Sequence, residues 1–373
     1  MRISFVLPFW RPYLGGVETA AFELAKALSQ EHEVQVHTSA VGPQGTRLPV
    51  GRTYDGEASC WVTRYRSPRG MIVFRPAHLY ADVVHYHGFH RFLIAAALTS
   101  SSTVPVVLQP HGNLSTVAGE PRGLRRTARV LLDRTWSPLL LRRFSRVLCL
   151  KEEERVIMVN AGVDPDRCRI VRAPIHPTDH GGPHWSPAPE RDPGLFICVG
   201  RVTPLKYLEH AVRAIAATAG LRLVVLGPVA DRGYLASLQA LVTNFGLERQ
   251  VSFVGPVPDL SRWYAQASGV ILCSKAEGQG LVIAEAVSHG AIPIGTSEAV
   301  GELAAHMGGV MTYEWGDVAA LSHVIAEVAA ARTQGKDLLG NGPEWVRTNL
   351  APDVIAQQVL AIYREAIAES RHV

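Results

Sequence analysis

An alternation that runs twice constrains this chain more than any other feature. Short apolar runs rich in Val and Ile alternate with longer stretches of helical periodicity. In the first series Ile3–Leu7, Val34–His37, Val83–His85, Val104–Leu108 and Val147–Leu150 read as strands, with helical patterns such as Val17–Leu28 and Leu124–Arg143 between them. In the second, Leu195–Val199, Leu221–Leu226, Val251–Val254, Val270–Cys273 and Ala291–Ile294 read the same way. Continuous apolar strands separated by helices are buried on both faces, which is the pattern of a parallel sheet with helices on both sides. Between the series, Pro174 to Pro193 is rich in Pro, Gly, His and Asp and has no apolar period, so it reads as a linker.

The spacing therefore predicts an α/β chain of two Rossmann-like, doubly wound domains. Residues 1–178 form the first, 179–193 the linker and 194–348 the second. A last helical segment, 349–373, follows Pro343-Glu344-Trp345 and is expected to pack back on the first domain. At 373 residues the chain exceeds one ordinary core. Ligands of such sheets bind at the carboxyl ends of the strands, so two facing domains enclose a cleft.

Several function classes fall away. No G-x-G-x-x-G follows the first strand and no G-x-x-x-x-G-K-[ST] occurs, which argues against a dinucleotide dehydrogenase and a P-loop NTPase. With 47% hydrophobic and 19% charged residues the chain is globular rather than disordered. A net charge of +4 is mild for this length and by itself argues neither for nor against nucleic acid. The five cysteines, Cys60, Cys149, Cys168, Cys198 and Cys273, include no C-x-x-C pair and read as buried thiols rather than zinc ligands. The apolar run at the N-terminus is too short for a signal peptide, and Phe92–Leu98 is too short to span a bilayer. A cytoplasmic protein is expected, with peripheral attachment at the inner face of a membrane left open.

The residues that suggest chemistry lie at strand ends. Glu277-Gly278-Gln279-Gly280-Leu281 follows a strand and opens a helix that carries Glu285. Gly278 and Gly280 admit a ligand close to the backbone, and the helix start offers free N–H groups to an anionic or oxygen-rich one. Spacing alone leaves this balanced against a tight turn with two solvated glutamates. In Gly200-Arg201-Val202-Thr203-Pro204-Leu205-Lys206, Arg201 and Lys206 can reach one diphosphate, whose charge grows as a leaving group departs. On its own the run reads as a surface loop. Gly15-Gly16 precedes a helix bearing Glu18, an arrangement that suits phosphate or sugar and also suits a plain turn. Asp82 to Gly88 and Gln109-Pro110-His111-Gly112 bring histidines to strand ends. His85 and His87 project to one face, yet no third metal ligand stands at sensible spacing. Arg122 to Arg146 is basic and amphipathic, the pattern of a solvated helix face or of contact with an anionic membrane or phosphorylated acceptor. Aromatic interleaving for nucleic acid is absent.

Taken jointly, the glutamates separated by seven residues around a glycine turn, the G-R-x-x-x-x-K run and the Gly15-Gly16 loop resemble the large retaining glycosyltransferase family of GT-B fold, glycosyltransferase family 4 / group 1 type. The resemblance spans residues 15 to 298. It implies transfer of a hexosyl group from a nucleotide-diphosphate sugar, UDP-linked by default and GDP-linked otherwise, to a hydroxyl of a glycan, glycolipid or natural product. It implies that Glu277 holds the donor sugar, Gly278, Gln279, Gly280 and Leu281 the sugar and phosphate, and Glu285 the ribose. Arg201 and Lys206 become the diphosphate clamp, Gly15 and Gly16 border the diphosphate, and His111 touches the sugar near the reacting carbon. Glu18, Asp82, His85 and His87 fall on the acceptor side, the last three either beside the acceptor or shaping the loop. The donor is a co-substrate, and no metal or other cofactor is expected. Two positions depart from the family: Gln279 where Phe is common, and Tyr207 where Gly or Asn is usual. A GT-B epimerase, a phosphorylase or a non-catalytic nucleotide-sugar-binding protein are the competing readings. No lysine for a pyridoxal cofactor is identified for the second.

Overall fold

The computed structural model describes residues 1–13, 15–42, 45–66, 80–89, 104–112, 138–175, 191–257 and 259–370. The chain divides into two compact units: Met1–Pro174 with Leu350–Val373, and Ile175–Asn349.

The first unit contains β1 (Arg2–Val6), α1 (Gly16–Leu28), β2 (Glu33–Ser39), β3 (Gly51–Asp55), β4 (Cys60–Tyr65), β5 (Val83–His87), β6 (Val106–Gln109), β7 (Arg146–Cys149), α2 (Glu152–Asn160) and β8 (Cys168–Ile170). These strands form one sheet in the order β3-β4-β2-β1-β5-β6-β7-β8. Only the β3–β4 pair among them is antiparallel. β1 lies centrally, with Phe5 paired to Val36 on one side and His85 on the other. Its Ile3, Phe5 and Val6 are fully buried, as expected of a strand covered on both faces.

The second unit contains β9 (Asp192–Val199), α3 (Leu208–Ala216), β10 (Arg222–Leu226), α4 (Arg232–Asn244), β11 (Val251–Gly255), α5 (Ser261–Gln266), β12 (Ala267–Leu272), α6 (Leu281–Ser288), β13 (Ile292–Thr296), α7 (Ser297–His306), β14 (Met311–Tyr313), α8 (Val318–Thr333) and most of α9 (Gly342–Leu350). Its sheet runs β11-β10-β9-β12-β13-β14 and is parallel throughout. The winding reverses between β9 and β12. Loops leaving those two strands diverge to opposite faces and leave a crevice at their carboxyl ends, the place where such sheets take ligands.

A final helix, α10 (Pro352–Ser370), completes the first unit. Its Ile355, Val359 and Tyr363 share one buried core with Phe22, Leu24 and Phe5. Arg146 on β7 is buried and bidentate to Glu369 of this helix, with one link of 2.8 Å. That corrects the reading of Arg146 as the end of a solvent- or membrane-facing basic stretch: a carboxylate partner inside the unit takes its charge. Arg122 to the residue before Pro138 lie outside the described residues, as do Phe92–Leu98 and most of the expected linker. The last linker positions, Asp192 and Pro193, already belong to β9.

All ten expected strands are present. β3, β4, β8 and β14 were not anticipated. The five cysteines are free and buried. No helix among the described residues is long and apolar enough to cross a membrane.

Candidate functional site

In the second unit the loops after β9 and β10 touch. Gly227 makes this possible: a Cβ there would fall 2.1 Å from the Gly200 carbonyl oxygen. The β9 loop is then pinned by Val202 N–H to the Pro228 carbonyl at 2.9 Å and by Ala230 N–H to the Val202 carbonyl at 3.1 Å. Arg201 stays exposed beside this anchor. Pro204–Lys206 form one tight turn, and Tyr207 follows in the left-handed region at φ +47°. That backbone costs a residue with a Cβ about 1–2 kcal/mol. It explains why Gly or Asn suits the position, and here the Tyr207 ring offsets part of the cost through edge contact with Trp315 at 5.0 Å and stacking on His210 at 5.7 Å.

The turn aims Lys206 across the crevice. Its Nζ lies 2.5 Å from Oε1 of Glu277, in the loop after β12. Both side chains are partly exposed, at 22% and 17%. Gly280 caps α6 with φ +77°, a conformation that glycine adopts without strain. Val300 packs into the space left by two missing side chains: a Cβ on Gly280 would lie 3.3 Å from it and one on Gly295 2.6 Å. Gln279 is buried at 7% exposure. Thr296 donates to the Ser274 carbonyl at 2.6 Å and accepts from Ala299 N–H at 3.3 Å, tying the ends of β12 and β13 together. The buried Ser274 hydroxyl has no partner among the described residues. Glu298, at the start of α7, accepts from the Trp315 N–H at 3.1 Å. A shallow recess at this end of the sheet is lined by Gly200, Arg201, Lys206, Leu208, Leu272 and Cys273.

Glu285 projects one turn into α6 and accepts from the Tyr264 hydroxyl at 2.6 Å. Burial raises its pKa, while that hydrogen bond pulls it down. His289 flanks the pair, with Nδ1 2.8 Å from the Glu285 carbonyl and its ring 5.1 Å from Tyr264.

In the first unit Gly15 is the N-cap of α1 and has an extended backbone, φ −152°. Glu18 lies at the third position of the helix and folds back, its Oε2 2.3 Å from where a Gly15 Cβ would stand. This is the position of the glutamate in a capping box. Glu18 is buried at 7% exposure, and its carboxylate covers the start of its own helix.

The histidines come together. His85 and His87 on β5 are both at 0% exposure, with ring centroids 4.2 Å apart and Phe5 packed against both. Of the two roles expected for them, support of the loop is the one this burial suits. His85 Nδ1 lies 2.6 Å from the Tyr363 hydroxyl of α10. His87 Nδ1 lies 3.1 Å from His111 Nε2. Burial holds His85 and His111 down at about 3, and His87 well below its usual value, so all three are neutral near pH 7. His111 and Gly112 form a left-handed turn at φ +55° and +73° after β6. The buried Glu154 grips it, accepting from Gly112 N–H at 2.5 Å and from Leu150 N–H at 2.7 Å. Asp82, expected with the histidines beside the acceptor or in the loop, sits instead at the opposite, amino end of β5, where it pairs with Arg2 at 3.0 Å. Among the described residues no three His, Cys, Asp or Glu side chains are grouped to hold a metal.

Sequence reasoning missed Glu154, Tyr264, Gly227 and Val300. Glu154 carries no local signal, being the third of three glutamates at a helix start.

The family model for "Glycosyl transferases group 1" matches residues 193–331, and that for "Glycosyltransferase Family 4" matches residues 14–179. The chain is 26% identical to a D-inositol 3-phosphate glycosyltransferase of Frankia alni over 95% of both chains. It is 30% identical to one of Mycobacterium avium over 58% of this chain and 50% of the relative, a match that spans half the relative's length. Sucrose-phosphate synthase from Thermosynechococcus elongatus superposes with a TM-score of 0.80 at 18% identity, covering 99% of each chain. Anabaena HepE in complex with UDP and glucose superposes with 0.76 at 18% identity, covering 97% of this chain and 98% of its own. At such identities the likeness is one of fold.

Proposed function

Because this chain is a GT-B glycosyltransferase of the family 4 / group 1 type, we propose that it retains configuration while moving a hexosyl group from a nucleoside diphosphate, UDP favoured and GDP the alternative, to an acceptor hydroxyl. The acceptor belongs to a glycan, glycolipid or natural product. The relatives' D-inositol 3-phosphate widens that set to phosphorylated cyclitols. The UDP carried by HepE, a protein of the same fold, supports the choice of base.

One observation carries this reading: Lys206 and Glu277 meet at 2.5 Å where the strand order reverses. A cation and a carboxylate so placed, with Arg201 and the α6 N–H groups on the same end of the sheet, suit a ligand that is anionic at one end and rich in hydroxyls at the other. When a donor enters, its diphosphate replaces Glu277 as the partner of Lys206, and Glu277 turns to sugar hydroxyls. Glu285 exchanges the Tyr264 hydroxyl for the ribose.

The acceptor oxygen then attacks the anomeric carbon from the face that the diphosphate leaves. The carbon–oxygen bond to phosphate breaks, its electron pair stays on the phosphate, and a phosphate oxygen accepts the acceptor's proton. Lys206, Arg201 and the α6 N–H groups stabilise the growing charge, with no metal required. His111 holds the sugar near its reacting carbon.

A panel of nucleotide sugars read by thermal shift and slow donor hydrolysis tests this. A UDP- or GDP-sugar should raise the melting temperature and be hydrolysed slowly. No stabilisation by any of them overturns the proposal.

A further inference from the structure

We propose that His87 and Glu154 are positioning residues that hold His111 in one orientation and one tautomer toward the donor sugar. This rests on the role given to His111 above. The starting point is strain: His111 has a left-handed backbone at φ +55°, which a side chain with a Cβ rarely adopts. Such outliers persist where surrounding structure over-determines them, and they gather at functional positions. Two independent devices fix this one.

The first acts on the backbone. Glu154 on α2 accepts from Gly112 N–H, the residue after His111, and from Leu150 N–H at the end of β7. One carboxylate thus clips the turn after β6 to its neighbouring strand. Glu154 is buried at 4% exposure and spends both oxygens on these bonds, so it is unavailable as a solvated charge.

The second acts on the ring. His87 Nδ1 and His111 Nε2 are 3.1 Å apart, so one of the two nitrogens carries the proton. His87 Nε2 is buried without a partner among the described residues. If His111 donated, neutral His87 would carry its proton on Nε2 and bury an unsatisfied N–H, which proteins avoid more strictly than an unsatisfied acceptor. His87 therefore donates, and His111 carries its proton on Nδ1, ready to give it to a sugar hydroxyl. His87 cannot swing away, because Phe5 and His85 pack against its ring. His85 is itself fixed by Tyr363.

The test is a set of full-length variants assayed for transfer, donor binding and histidine tautomer. His111→Ala should cut kcat about 100-fold, since one well-placed donor to a reacting group is lost. His87→Phe keeps a ring and removes the bond, and should cut kcat about 10-fold or more with donor Kd nearly unchanged. His87→Asn, whose amide reaches the position of Nδ1, should recover much of that. Glu154→Gln puts an amide N–H against a backbone N–H and should act like His87→Phe. In the His111→Ala background, His87→Phe should bring no further loss. In wild type, nitrogen-15 spectra of labelled histidines, assigned with His111→Ala, should show His111 protonated at Nδ1. Multiplicative losses in the double variant, or the opposite tautomer, overturn the proposal. The spectrum decides even if His87→Phe does not fold. Unchanged transfer in His111→Ala instead refutes the role of His111 on which the inference stands.

Discussion

In the second unit the candidate groups are paired side chains: Lys206 with Glu277 as an ion pair, and Glu285 accepting from the Tyr264 hydroxyl. In the first unit they are neutral imidazoles locked by burial and by a strained turn. A charged pair at 22% and 17% exposure can trade partners at small expense, because water and the incoming ligand replace what is lost. His85 and His87, at 0% exposure, cannot. Binding and release of a diphosphate call for the first kind of site, and orientation of a sugar calls for the second. Under the proposed function, each unit has the chemistry that matches its task.

The comparison breaks most visibly at Lys206. Lys206→Ala should lower transfer by about 10²–10³-fold, because its charge works on the leaving diphosphate. A loss below tenfold in steady-state kinetics would place the clamp elsewhere.

Acid should separate the units next. His37, His85 and His111, all in the first unit, are held at about 4, 3 and 3 by burial. Their folded values lie below the unfolded 6.5, so the unfolded chain takes up protons first as pH falls. Stability is intact above pH 6.5 and drains away below it, by about 1.4 kcal/mol per pH unit for each histidine that titrates only when unfolded. Glu154 in the same unit, and Glu285 in the second, are raised by burial and shift stability the other way, favouring the folded state in acid. Hydrogen exchange at pH 7 and pH 5 should show protection lost in β1, β2 and β5 before β9 and β12. The reverse order would break the contrast.

Glu277→Gln sharpens it further. Transfer should fall, while bare UDP should bind about fivefold tighter, since Lys206 is released and a negative charge is removed from beside the phosphates. Weaker UDP binding in a calorimetric titration would show that Glu277 supports the nucleotide itself. Tyr264→Phe should give the smallest effect, a two- to fivefold change in donor KM with kcat kept, about the worth of one hydrogen bond.

What the sequence disclosed follows the reach of each signal. Apolar runs disclosed ten strands, because burial on both faces writes itself into consecutive residues. β3, with the sequence Gly51-Arg52-Thr53-Tyr54-Asp55, lies almost wholly exposed and leaves no such trace, and β8 and β14 are three residues each. Strand ends marked the loops that carry Arg201, Lys206 and Glu277, but not that Lys206 and Glu277 pair, since 71 positions separate them. Glu154 was hidden for another reason. Glu152 and Glu153 beside it are exposed, and only packing around the end of β7 tells the three apart. Gly227 and Val300 were equally silent: their importance lies in what stands opposite them.

The return of α10 to the first unit also orders events during synthesis. Ile355, Val359 and Tyr363 belong to the same core as Ile3 and Phe22. A nascent chain that has released every strand of both sheets still lacks the segment that seals the first. The part made first is the last to close, and until Pro352–Ser370 leaves the ribosome its exposed apolar face is what a chaperone would meet.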